Sequence, residues 1–141
     1  MSSREIHFEV RSTTEEDLPL LRQWWSQWGW PQPPREILPD NLSDGLIVLH
    51  KGTPVVASFI YSTSASKAFL LEYTISDPNF RSKGLRKTAI SVLLKSATDY
   101  VKHSGGNIIF SFTHHKQLAQ HFVDHGFNKG DLSYEMIKII P

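Results

Sequence analysis

The sequence predicts a single α/β (α+β) domain over residues 1–141, with a mixed, mostly antiparallel central sheet flanked by helices in the order β-α-(α)-β-β-β-α-β-α-β. Three observations carry this expectation. Between Leu46 and Ser76 three β-rich runs follow one another across short turns, as antiparallel neighbours do. Leu85 to Tyr100 then places apolar residues at helical spacing and leads into another strand-like run, which makes a β-α-β unit. Finally, 141 residues with 40% hydrophobic and 21% charged content suffice for one buried core.

Taken in order, Ile6 to Val10 alternates apolar and polar residues, as a half-buried strand does. Thr13 with Glu16 three positions on forms a capping box for a helix whose apolar stripe is Leu18, Leu21, Trp25 and Trp28. Gly29 occupies the place of a helix-closing glycine and Pro31 lies just beyond it. Residues 31–44 are proline-rich and read as irregular, with one turn of helix around Glu36. Leu46–His50 and Val55–Tyr61 flank Lys51-Gly52-Thr53 as a hairpin, and Ala68–Ser76 is the third strand. A long helix ends near Ser104-Gly105-Gly106 and Asn107–Phe112 is a strand. His115–His125 is a helix closed by Gly126, and Leu132–Ile140 is a last strand.

Composition excludes several functions. A formal net charge of +1 provides no global attraction for nucleic acid or anionic lipid, so any electrostatic role is local. The chain has no cysteine, which removes disulfides, thiolate metal sites and a cysteine nucleophile together. Met1 to Val10 lacks the apolar core of a signal peptide and no apolar run approaches ~20 residues, so the expected location is cytoplasmic, away from membranes. No feature bears on oligomeric state.

The densest signal lies at Asp77-Pro-Asn-Phe-Arg-Ser-Lys-Gly-Leu-Arg-Lys87. Arg81, Lys83, Arg86 and Lys87 crowd a helix start, and no acid occurs from Pro78 to Thr98. For an isolated helix this is unfavourable, because its N-terminus already carries roughly half a positive charge. A bound phosphate reverses the sign, since free N–H groups, dipole and cations all favour an anion. A solvated basic surface is the plain alternative.

Pro78-Asn-Phe-Arg81-Ser-Lys-Gly84-Leu-Arg86 resembles the pyrophosphate loop of the GNAT superfamily, the acyl-CoA-dependent N-acyltransferases, whose usual pattern is P-x-x-R/Q-x-x-G-x-G/A between the fourth strand and a helix. Leu71-Glu72-Tyr73-Thr74-Ile75 resembles that family's fourth strand, and Phe122-Val-Asp-His-Gly126-Phe127 is similar to its late-helix pattern Y-x-x-x-G-F. The resemblance implies that acetyl-CoA is a co-substrate lying between splayed fourth and fifth strands. It assigns diphosphate contacts to Arg81, Ser82, Lys83, Gly84, Leu85, Arg86 and Lys87, and pantetheine hydrogen bonds to the backbone of Thr74, Ile75 and Ser76. The implied activity is N-acetyl transfer to a primary amine, on a small molecule or peptide, by direct attack in a ternary complex. Gly84 fits this loop by permitting close approach and special backbone angles.

Two positions depart from the family pattern. Arg86 replaces a second small residue, so either the loop grips the diphosphate less tightly or the arginine swings out as a phosphate ligand. Phe122 replaces the tyrosine that protonates the departing thiolate in many members. Both departures favour an alternative, a degenerate GNAT-fold protein that binds CoA or a nucleotide without transferring acetyl. A third reading, phosphate-backbone binding to nucleic acid, is opposed by the near-zero net charge.

Transfer requires a neutral amine. A lysine-like acceptor of pKa ~10.4 needs about 4–5 kcal/mol to lose its proton at pH 7. Glu72 is the only acid on the central strand, opposite in face to Leu71, and is the candidate base; pairing with a nearby Lys or Arg is the alternative. His121, His125 or solvent would protonate the thiolate, and His121 adjoins Phe122 but points about 100° away around the helix. His114, His121 and His125 fall at i, i+7 and i+11, a spacing compatible with a shared metal, against which stands a plain solvated face; no metal is assigned.

All four tryptophans lie between Trp24 and Trp30. Trp25 and Trp28 continue the core stripe, and Trp24 sits at its edge. Trp30 lies on a loop stiffened by Pro31, Pro33 and Pro34; the GNAT resemblance implies that the segment after the first helix walls the acceptor side of the cleft, which makes Trp30 the expected acceptor contact. The stretch is also reminiscent of small GNAT-like proteins encoded by phages.

Overall fold

The computed structural model describes residues 7–141; Ile6 of the expected first strand lies outside the described residues. The elements are β1 (Phe8–Ser12), α1 (Leu18–Trp28), β2 (Gly45–His50), β3 (Thr53–Ser62), β4 (Ala68–Ser76), α2 (Lys83–His103), β5 (Ile108–Phe110) and α3 (Lys116–Asp124). One five-stranded sheet runs in chain order, β1 to β5. The first four strands pair antiparallel and β5 pairs parallel with β4. The mixed, mostly antiparallel sheet flanked by helices is therefore present.

Local chemistry explains most boundaries. The β2–β3 hairpin turns on Lys51 (φ 51°) and Gly52 (φ 83°), two consecutive left-handed residues that match the strand twist. At the end of α1, Gly29 adopts φ 74°, its N–H bonds Ser26 O, and Trp30 N–H reaches back to Trp25 O at 2.9 Å. The same pair of reverse bonds closes α2 at Gly105-Gly106 and α3 at Gly126-Phe127. Residues 31–44 carry two single 3-10 turns, Arg35–Ile37 and Leu42–Asp44.

The capping box is displaced by one residue. Asp17 accepts the Thr14 N–H at 2.8 Å, while Thr13 is buried and its hydroxyl bonds Leu42 O. Arg11 then clamps Asp17 with two 2.8 Å bonds, fixing α1 to β1.

Apolar packing divides between the two faces of the sheet. One core gathers Val48, Val56, Phe69 and Leu71 under the α2 residues Ala89, Leu93, Leu94 and Ala97, with Phe122 of α3. The other packs Leu18, Leu21, Trp24 and Trp25 of α1 against Ile47, Ala57, Phe59 and Ile75. Trp24 and Trp25 are both buried, whereas Trp28 is only half-buried, so the expected Trp25–Trp28 stripe gives way to Trp24–Trp25.

The expected last strand is not formed. Residues 128–141 have no regular structure, and Leu132, Tyr134, Met136, Ile137, Ile139 and Ile140 stand in solvent. The alternation of apolar residues there is real, but a strand needs a neighbour to take its N–H and C=O groups, and among the described residues this segment has none.

Candidate active site

The site begins with an irregularity in β4. Tyr73 sits at φ 57° in mid-strand, and the β3–β4 register slips between Ala57 and Phe59. This β-bulge reverses which face the following side chains address. Phe69 and Leu71 therefore enter the core under α2, while Ile75, in phase with them by simple alternation, enters the core under α1. Opposite the bulge, buried Ser58 bonds Glu72 O at 3.1 Å and Thr74 Oγ1 at 2.7 Å.

The bulge coincides with the parting of β4 and β5. Their ladder covers only Ala68–Leu70 against Ile108–Phe110, while β4 runs on to Ser76. Ser111 Oγ still bonds Leu71 O at 2.6 Å, and Glu72 then bridges the gap by accepting Phe112 N–H at 2.8 Å. Among the described residues no Lys or Arg pairs with Glu72, so the ion-pair alternative is not what holds it. Burial pushes its pKa up to about 7, against the opposing pull of the Phe112 N–H.

At the far end of β4, Asp77 caps the turn by accepting Asn79 N–H, and Ser82 caps α2 by accepting Leu85 N–H at 3.4 Å. Arg81, Ser82, Lys83, Gly84 and Lys87 are all exposed around this helix start, and its first turn holds no acid. Gly84 lies inside the first helical turn and is not among the residues at positive φ, so its contribution is bare backbone rather than special angles. Arg86 is folded inward: it donates to Asp77 O at 3.0 Å, and its guanidinium stacks over Trp28, 5.6 Å from the ring centroid. Arg86 does not swing out from the loop here; it ties the turn to α1.

Trp28 continues the link by donating its indole N–H to Ser76 O at 2.7 Å. Trp30 stacks on Trp28 at 5.3 Å and on His115 at 4.0 Å, and His115 in turn meets His114 at 4.5 Å. This aromatic series joins the loop after α1 to the segment between β5 and α3, beside the open end of β4. Tyr73 and Tyr61 meet edge-on nearby, and Tyr61 OH anchors Ile37 O. Burial raises the pKa of both phenols. His115, Trp28 Nε1 and Tyr73 are site features the sequence reading missed, because their partners lie far along the chain.

On α3, Phe122 is buried and its ring meets Phe127 at 4.9 Å, the apolar contact that accompanies this helix ending. His121 is half-buried and held below its ordinary pKa, chiefly by burial, with Asp124 opposing. His125 bonds Ser91 at 2.7 Å, and His114 precedes the helix, so the three histidines do not share one helical face. Among the described residues no group of three or more His, Cys, Asp or Glu gathers to hold a metal, and no helix is long and apolar enough to cross a membrane.

Neither a family model nor a curated relative matches the sequence. Solved structures do match. N-Acetylglutamate synthase from Neisseria gonorrhoeae, complexed with coenzyme A and L-arginine, superposes with a TM-score of 0.72 at 16% identity over 89% of this chain. This chain spans only 28% of that enzyme. A ribosomal-protein alanine N-acetyltransferase from Escherichia coli gives 0.67 at 14% identity, covering 88% of this chain and 79% of the other. An aminoglycoside acetyltransferase from an uncultured soil metagenomic sample, in complex with trehalose, gives 0.60 at 15%, covering 95% and 99%. At these identities the likeness is one of fold, and the fold of this chain is that of the GNAT acetyltransferases.

Proposed function

We propose that the chain is an N-acetyltransferase that moves acetyl from acetyl-CoA to a primary amine. The observation that carries this reading is Glu72, a half-buried carboxylate with no ion-pair partner among the described residues, poised near neutrality where β4 and β5 part. The exposed, acid-free start of α2 supports it by offering backbone donors and Arg81, Lys83 and Lys87 to a diphosphate. In this proposal Ser82, Gly84, Leu85 and Arg86 shape the loop, and the backbone of Thr74, Ile75 and Ser76 lines the pantetheine path.

In the transfer, the amine nitrogen forms its bond to the thioester carbonyl carbon and gives up a proton to Glu72, directly or through one water. The C–S bond then breaks, and the CoA thiolate leaves with the electron pair and takes a proton. Phe122 has no proton to give. His121 is the side-chain candidate, but burial keeps it mostly neutral at pH 7, which favours solvent as the donor. Trp30, stacked between Trp28 and His115, presents a rigid aromatic wall to the acceptor. The expected acceptor is a small-molecule or peptide amine.

Calorimetric titration with acetyl-CoA, followed by a thiol-release assay on an amine panel, tests this reading. Absence of binding would overturn it. Binding without turnover on any amine would favour the second reading, a CoA-binding protein without transferase activity, for which Phe122 in the core is the supporting observation.

A further inference from the structure

The end of β4 presents one carbonyl to the gap between β4 and β5. Asp77 N–H donates to Val55 O at 2.8 Å, which makes the neighbouring Val56–Ser76 pair the non-hydrogen-bonded one of the ladder. Ser76 C=O therefore turns away from β3 and toward β5, whose own ladder with β4 has already stopped at Leu70 and Phe110. This carbonyl is taken by the indole of Trp28, the last residue of α1, whose N–H reaches it at 2.7 Å. Trp30 backs the indole at 5.3 Å and His115 backs Trp30 at 4.0 Å, so the three rings span the gap from β4 to the segment after β5.

Arg86 closes the arrangement from the α2 side. Its guanidinium lies over the same indole, 5.6 Å from the ring centroid, and donates to Asp77 O at 3.0 Å. That position leaves Arg86 incomplete, because its Nε is buried and has no hydrogen-bond partner among the described residues. A buried donor without an acceptor is unfavourable. One indole hydrogen bond and stacking thus hold the rings in place, against an unsatisfied group that opening would relieve.

We propose that Trp28, held by Arg86, is a latch that occupies the co-substrate's path from within and competes with acetyl-CoA for Ser76 O. This rests on the acetyltransferase reading above and adds to it a residue that sets co-substrate affinity. The indole fills the approach to the carbonyl, so a pantetheine arm lying along β4 must move it before an amide N–H of the arm can reach Ser76 O. The exchange replaces one N–H···O bond by another, so the two nearly cancel and the packing of the indole on Trp30 and Arg86 decides the balance. Only the unlatched fraction of chains can bind, and the latch weakens the apparent affinity by that fraction. Displacing the indole also frees Arg86, in the acid-free first turn of α2, to offer its unpaired Nε to an anion there.

Trp28→Phe keeps a ring for Arg86 and Trp30 and removes only the N–H that holds Ser76 O. Calorimetry should show this variant binding acetyl-CoA at least about fivefold more tightly than the parent, with unchanged circular dichroism. Stopped-flow tryptophan emission supplies a second readout that needs no variant. In the parent, the observed binding rate should level off at high acetyl-CoA, as unlatching becomes limiting, and Trp28→Phe should reach a faster plateau. A parent that fails to bind beside a Trp28→Phe chain that binds would support the latch in its strongest form. Equal or weaker binding by Trp28→Phe, or a parent rate that rises linearly without a plateau, would overturn the latch alone. Failure of both chains to bind would overturn the acetyltransferase reading and the latch with it.

Discussion

Glu72 has a carboxylate that is costly to ionise, because half of it lies out of water and one backbone N–H is its only donor among the described residues. Its candidacy was legible in the sequence as the sole acid on a central strand; its environment was not, because Phe112 lies 40 positions away. With a pKa of about 7, the base form gains population as pH rises through neutrality. The expected kcat/KM therefore climbs about tenfold per pH unit below 7 and levels off above it. Glu72→Gln should lower turnover by roughly 10²–10⁴ and abolish that limb, with acetyl-CoA affinity nearly intact. An unchanged rate would remove Glu72 as base. Stability should move in the opposite sense. The folded pKa exceeds the ordinary 4.5, so the stability contribution is whole below pH 4.5 and is lost as pH climbs through 7. Discounted for partial exposure, that loss is about 1–2 kcal/mol. Urea melts should show Glu72→Gln more stable than the parent at pH 8.5 and equal to it near pH 4.5.

Among the elements, the start of α2 is the one whose sequence is unfavourable for itself. The family-like loop, the strand before it and the helix after it were all legible, because Pro78, Gly84 and the uninterrupted cations lie within a single local segment. Helix ends were legible for the same reason: Gly29, Gly105 and Gly126 each close a helix in the left-handed conformation. That also gives the Phe122–Gly126–Phe127 pattern a packing cause, since Phe122 and Phe127 are the two rings such an ending brings together. The capping box slipped from Thr13 to Thr14 because Thr13 is claimed by Leu42, 29 positions away. If the cations at the α2 start are there for an anion, stability and binding must respond oppositely to a charge reversal. Lys83→Glu should stabilise the fold by about 0.3–1 kcal/mol through the helix dipole. The same change should weaken acetyl-CoA binding at least tenfold in calorimetry. Gly84→Val should abolish that binding without unfolding the chain, because the glycine is exposed. Binding unaffected by either change would remove this loop as the diphosphate site.

For the whole molecule, the sheet separates two cores, and the site depends on how β5 is carried beside β4. Layer order and strand pairing followed from local patterns. The β4 bulge and the fate of the last apolar run did not, because the bulge depends on backbone partners distant in sequence and the last run bonds no other described element. β5 is held by a three-residue ladder, so its position depends on the joint with α2 at Gly106. A Cβ at Gly106 would lie 2.6 Å from the Phe69 ring and from Val101 Cγ1, so alanine there must push the joint apart. Gly45, in β2, is equally confined: a Cβ would meet Thr13 Oγ1 and lie 2.8 Å from the Phe59 ring. Both Gly106→Ala and Gly45→Ala should therefore cost about 1–3 kcal/mol in urea melts. Only Gly106→Ala displaces the segment that brings Phe112 N–H to Glu72. Loss of that donor leaves burial unopposed, so the rising limb of the pH–rate profile should shift to higher pH in Gly106→Ala and stay in place in Gly45→Ala. Equal shifts in both variants would show that the limb follows global stability rather than the β4–β5 joint, and no shift in either would detach Glu72 from Phe112.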